Sequence, residues 1–129
     1  MAGRILCCIN GSAHSRRAVE VATEMAAGLG RGLSFLLVNE RRPASGYPPI
    51  KSWTEDEARD LLDIAARYAA SHGAKNIKRI LFDSEDAADA ILECAAKIEA
   101  DHIVMGTGNP PFIGRLLLGS VSAAVVTGA

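Results

Sequence analysis

The apolar positions of this chain change period along its length. The run Arg4 to Ile9 is continuously apolar behind its first residue and stops at Asn10-Gly11-Ser12, the pattern of a buried strand ended by a turn. From Ser15 onward Ala18, Val19, Ala22, Met25, Ala26 and Leu29 recur at helical spacing, and Gly28, Gly30 and Gly32 close the helix. Leu33 to Val38 predicts a second buried strand. Residues 40–53 hold Pro43, Gly46, Pro48 and Pro49, with Tyr47 and Trp53 among them. They predict a loop of about a dozen residues, long enough for a lid, with a plain surface connection as the alternative. Thr54 and Glu57 make a capping box, and the stripe Ala58, Leu61, Leu62, Ala65, Tyr68, Ala69 predicts a helix ending at His72-Gly73.

Ile77 to Phe82 predicts a third strand, placed towards an edge by Lys78 and Arg79. Asp83-Ser84-Glu85-Asp86 predicts the cap and first-turn acids of a helix carrying Ala88, Ile91, Leu92, Ala95 and Ile98. His102 to Met105 predicts a fourth buried strand, Gly106 to Pro111 a turn-rich loop, and a last helical segment runs from about Arg115 or Ser120 to Val126. Strands and helices alternate, and the strands are apolar without interruption. That is the pattern of an α/β fold: an open, doubly wound parallel sheet, Rossmann-like, with expected strand order 3-2-1-4 and helices on both faces. Such sheets bind ligands beyond the carboxyl ends of the strands, where the order reverses. Here that crevice lies between strands one and four, which end in Asn10-Gly11-Ser12 and Gly106-Thr107-Gly108-Asn109.

Length and charge narrow the picture. The 129 residues make one domain, 1–129. Apolar residues at 49% and charged residues at 22% are those of a globular chain. The charge of 14 − 15 = −1 and the 5% aromatic content argue against nucleic acid as a partner. The basic rim of Arg16, Arg17, Arg31, Arg41 and Arg42 reads as solvated surface. Cys7, Cys8 and Cys94 show no metal or redox spacing and read as core thiols of a reducing compartment. With no leader and no apolar run of about 18 residues, the chain is expected to be cytoplasmic, with no direct membrane insertion. His72 and His102 read as structural, Ser12 near His14 as helix capping, and the acids at 83–86 as capping rather than a metal site. No catalytic residue and no metal ligand is assigned, and a binding module is favoured over an enzyme.

Chemistry is richest at Gly114-Arg115-Leu116-Leu117-Leu118-Gly119-Ser120-Val121-Ser122. A Gly-Ser step opening a helix offers free N–H groups and hydroxyls to an anion. Val104-Met105-Gly106-Thr107 followed by this segment resembles the phosphate loop of the universal stress protein family. Ile9-Asn10-Gly11-Ser12 is similar to that family's first strand and turn, and Ala100 to Gly106 to its fourth strand. The resemblance covers nearly the whole chain. It implies the doubly wound fold, a stress-response or regulatory role, ATP or AMP as ligand with Mg²⁺ as a companion, and a homodimer. It places adenine near Ile9 and Val38 and phosphates near Gly106, Asn109, Gly119, Ser120, Val121 and Ser122, with Asn10, Gly11 and Met105 completing the nucleotide-binding set.

The family pattern runs Gly, two residues, Gly, nine residues, Gly, then Ser or Thr. Gly106, Gly119 and Ser120 match it, whereas Asn109 holds the middle glycine place. Asn tolerates positive φ, but Pro110 and Pro111 have no N–H for a phosphate. Gly114 replaces the basic residue usual before Arg115, and Asn10 stands where ATP-binding members carry Asp. The chain ends at Ala129 without the family's fifth strand, so strand four is expected to keep an unprotected edge. Two functions stay open: a nucleotide-binding regulatory module, or a protein-interaction domain that binds no nucleotide, free or cut from a larger transporter.

Overall fold

The computed structural model describes residues 4–9, 13–44, 47–51, 53–84, 87–105 and 112–115. The elements run β1 (Arg4–Ile9), α1 (Ala13–Leu29), β2 (Leu33–Ala44), β3 (Tyr47–Lys51), α2 (Glu55–Ser71), β4 (Ile77–Ser84), α3 (Ala87–Lys97), β5 (Ala100–Met105) and β6 (Phe112–Arg115). Strands β4, β2, β1 and β5 are parallel and adjacent in that order. Counted along the chain, the parallel strands therefore lie 3-2-1-4, as the alternation of apolar runs predicts.

Alternation along each strand sorts the core into two layers. Ile5, Cys7, Ile9, Leu33, Phe35, Leu37 and Val104 pack against Ala18, Val19 and Ala22 of α1 and Ala58, Leu62 and Ala65 of α2. Leu6, Leu36 and Ile103 point the other way, onto Ile91, Cys94 and Ala95 of α3. The small alanines on α1 and α2 let these helices lie close to the sheet, and the bulk comes from strand residues such as the fully buried Phe35. Among the described residues no helix is long and apolar enough to cross a membrane.

Three boundaries differ from the sequence expectation. Residues 40–44 and 47–51, expected in a loop, are paired strands. Strand β2 continues to Ala44, and β3 returns antiparallel with Arg41 opposite Lys51 and Ala44 opposite Tyr47. Prolines are tolerated in such a two-stranded edge ribbon, where a missing N–H breaks few ladder bonds, and the register slips between Arg42 and Ala44, at Pro43. Asp83 and Ser84 belong to β4, opposite Asn39 and Glu40, so they do not open α3. Arg115 lies in β6, not in a helix, and β6 pairs antiparallel with β5 from His102–Arg115 to Met105–Phe112. That pairing covers the edge of β5 expected to stand open. The rest of the expected last helix lies outside the described residues.

Each helix-to-strand return uses the left-handed region: Gly30 (φ 66°), Gly73 (φ 93°), Asn76 (φ 54°) and Glu99 (φ 56°). Gly73 follows the last turn of α2, and its N–H reaches the Ala70 carbonyl at 3.5 Å. At the other end of α2 the capping box forms: the Glu57 N–H donates to Thr54 Oγ1 at 3.1 Å and the Thr54 N–H to Glu57 Oε1 at 2.9 Å.

Candidate functional site

In a parallel sheet every strand delivers its carboxyl end to one rim, and the following helix starts there. Cys8 stands opposite Leu36 on one side and Met105 on the other, so β1 and β5 end together, while β2 runs on past them to Ala44. Strand β1 lies between β2 and β5, and the order reverses at the gap between β1 and β5. Of the expected nucleotide residues, Ile9, Val38 and Met105 come to this rim. Ile9 is buried towards α1 and α2, whereas half-buried Val38 and Met105 flank the core layer under α3. Asn10, Gly11, Gly106, Asn109, Gly119, Ser120, Val121 and Ser122 lie outside the described residues.

Helix α1 opens four residues after β1 and carries no acid in its first turn. Its N-terminal partial charge, about half an elementary charge, is therefore not offset locally. Helix α2 differs, with Glu55, Asp56 and Glu57 in its first turn. The helix that starts at the switch point is thus the one left electropositive, which suits an anion.

Sequence reasoning missed Asn39. Its side chain is 1% exposed. The Nδ2 group donates to the Trp53 carbonyl at 2.7 Å, and Oδ1 accepts from the Trp53 N–H at 3.0 Å. One amide thus fastens the two roots of the β2–β3 hairpin and sets Trp53 immediately before the α2 cap. Its only sequence signal is a polar residue directly after an apolar run. Beside it, a hollow of about 300 Å³ is lined by Asn39, Glu55, Arg59, Leu81 and Asp83. It flanks β2 on the β4 side, away from the gap between β1 and β5. Arg59 there is held by Glu55 at 2.8 Å.

The remaining candidates have structural partners. Burial pushes the Cys7, Cys8 and Cys94 thiols up, with Cys8 beside Cys7 and Cys94 near Cys8 adding to it. All three are held in the neutral form, a poor state for a nucleophile or a metal ligand. His72 Nδ1 lies 2.8 Å from the Tyr68 carbonyl, with its ring stacked on Tyr68 at 4.1 Å. His102 Nδ1 lies 3.0 Å from Asp101 Oδ1. Among the described residues no group of three or more His, Cys, Asp or Glu could hold a metal ion.

The model of the universal stress protein family matches residues 1–129. The chain belongs to the universal stress protein family. A universal stress protein of Thermus aquaticus, from the region 3′ of a QAH/OAS sulfhydrylase, is 34% identical over 97% of this chain and 91% of its own length. The crystal structure of a family member from Burkholderia pseudomallei matches at 27% identity with TM-score 0.70, covering 95% of this chain and 87% of that one. A universal stress protein crystallised in complex with cAMP matches at 26% identity with TM-score 0.65, covering 98% and 90%. The family's doubly wound α/β architecture is therefore the architecture of this chain.

Proposed function

We propose that this universal stress protein is a cytoplasmic regulatory module that binds an adenine nucleotide in the crevice between β1 and β5. The observation that carries the reading is the acid-free N-terminus of α1 at the switch point of the sheet. The neighbour in complex with cAMP supports the ligand class. Ile9 and Val38, on opposite faces of the sheet, would border the adenine side from the ends of their apolar runs. Asn10 and Gly11 would take the sugar, and Met105, Gly106, Asn109, Gly119, Ser120, Val121 and Ser122 the phosphate. A single phosphate fits this chain better than three, because Pro110 and Pro111 carry no N–H and Asn10 supplies no charge for Mg²⁺.

The action is binding rather than turnover. A nucleotide that bridges the turn after β1 and the Gly119-Ser120 step would favour one arrangement of the β2–β3 hairpin and of the surface beside it, to the extent that it binds that arrangement more tightly. That surface would then meet a second copy of the chain or another protein. Calorimetric titration with AMP and ATP, with and without Mg²⁺, tests the reading. Binding at micromolar levels is expected, with AMP at least as tight as ATP. Gly119→Val and Ser120→Ala should each weaken it about tenfold or more, the loss of one or two hydrogen bonds to a charged group. Absence of saturable binding up to millimolar nucleotide overturns the reading. It would leave a protein-interaction domain, the alternative that the two prolines favour.

A further inference from the structure

The amino ends of the strands meet at the rim opposite the crevice, and a groove of about 490 Å³ lies there. Backbone and small side chains make most of its wall: Gly30, Gly32 and Gly73, with Ala26 and Ala27. Arg4 forms its floor. Its Nε donates to Ser34 Oγ at 2.9 Å, and its Nη2 to the carbonyls of Leu33, at 3.1 Å, and Asn76. These bonds lock the guanidinium across the amino ends of β2 and β4. Its Nη1 has no acceptor among the described residues. It lies over Gly32, where an added Cβ would fall within 2.8 Å of Arg4 Cζ, so glycine is the residue that leaves room for the guanidinium.

The charges of this groove are not balanced from within. Arg31 is paired with Asp101. Lys75, exposed on the return from α2 to β4, has no ion-pair partner among the described residues. None of the described residues lining the groove is acidic. The carboxyl ends of α1 and α2 point here and bring partial negative charge. Much of it is met by backbone: the Ala26 carbonyl accepts from the Arg31 N–H at 3.0 Å, and the Ala69 carbonyl accepts from the N–H groups of His72 and Ala74 at 3.2 and 3.0 Å. Two positive groups, Arg4 Nη1 and Lys75 Nζ, remain with donors to spend in one concave, glycine-walled space.

We propose that this groove is a second anion site, separate from the nucleotide crevice, that takes a phosphate group carried on a small molecule and holds it between Arg4 Nη1 and Lys75 Nζ. A locked guanidinium presents a fixed fork to an oxyanion, and the flexible lysine closes from the other side. The volume is that of a small-molecule pocket rather than of a bare ion, so the phosphate would be one end of a compact ligand. Bound there, it would tie the turn after α1 to the turn after α2, which Arg4 already bridges.

Inorganic phosphate is the probe. In an amide NMR titration of the full chain at constant ionic strength, saturable shifts are expected at Gly30, Gly32, Gly73, Lys75 and Asn76. Lys75 is exposed and has no side-chain bond or ion pair among the described residues, so its variants should fold. Lys75→Ala should weaken phosphate about five- to tenfold, the loss of one charge-assisted contact. Lys75→Arg should restore most of it, and Lys75→Glu should abolish it. Raising sodium chloride should weaken binding to the parent protein. Shifts that chloride reproduces at equal ionic strength would overturn the proposal, as would phosphate affinity unchanged by Lys75→Glu. The crevice amides of Ile9, Val38 and Met105 report the other site, so failure here leaves the nucleotide reading standing, and the reverse holds too.

Discussion

At Asn39 one buried amide spends a donor and an acceptor on the backbone of a single residue, Trp53. Truncation would strand a carbonyl and an N–H together, and each such group costs about 1–3 kcal/mol when water cannot reach it. Trp53 is half-buried, so water recovers part of this. Asn39→Ala is expected to lower stability by about 2 kcal/mol in urea unfolding, with the Trp53 fluorescence shifting to the red before the global transition. Asn39→Asp should also destabilise, because the carboxylate keeps the acceptor but sets a negative charge against the Trp53 carbonyl. Nothing in the sequence distinguishes this asparagine from Asn10, which also follows an apolar strand at the carboxyl rim. Periodicity marks the end of a run, but it does not say whether the polar residue there is satisfied by protein or by water. Ile9, Val38 and Met105 were legible for the opposite reason. Each sits at the end of an apolar run, and topology alone sends those ends to one rim.

The capping box of α2 shows the same bookkeeping for an element. Thr54→Ala is expected to cost about 1 kcal/mol, the usual loss for such a cap. The bond from the Thr54 N–H holds the Glu57 carboxyl below its ordinary value. A carboxyl depressed in the folded state contributes stability above its unfolded pKa, near 4.5, and that contribution is lost as pH falls through the folded value. The gap in melting temperature between the parent and Glu57→Gln should therefore be full at pH 6 and narrow in acid. This cap was readable because its spacing is local. The hairpin of β2 and β3 was not, since Pro43, Pro48 and Pro49 argue against strand wherever the ladder is two-sided. The boundary at Asp83-Ser84 misled for a related reason: residues that favour helix caps also close strands, and here the register with Asn39 and Glu40 decides. Strand β6 was hidden by length, because Phe112 to Arg115 is four residues with a glycine inside.

Across the whole molecule the two core layers hold three thiols that burial keeps neutral. An unfolded thiol ionises near the ordinary value of 9.0, whereas the folded ones resist. An acid whose folded pKa is raised favours folding below the unfolded pKa, and that advantage fades as pH rises above it. Stability should thus be flat from about pH 7 to 8 and fall above pH 9, with a slope that approaches about 1.4 kcal/mol per pH unit for each of Cys7 and Cys8 once the unfolded thiols are fully ionised. Urea midpoints at pH 8, 9 and 10 check this. A matching readout is iodoacetamide, which should label the native chain slowly and the urea-unfolded chain at once. A flat profile to pH 10 would mean that the thiols are open to solvent.

The strand order also sets a timetable. Strand β1 gains its first neighbour from β2, beginning only 29 positions after β1 does, since Ile5 pairs with Leu33 and Arg4 opens the strand. Its other neighbour, β5, ends at Met105. During synthesis at roughly 5–20 residues per second, the far side of β1 waits several seconds for its mate after β2 has emerged. Through that interval Leu6 and Cys8 face outward from a half-sheet whose remaining cover, α3, has also not been made. The nascent chain is then at its stickiest, and a chaperone that recognises apolar strand edges would meet this protein on the ribosome rather than after release.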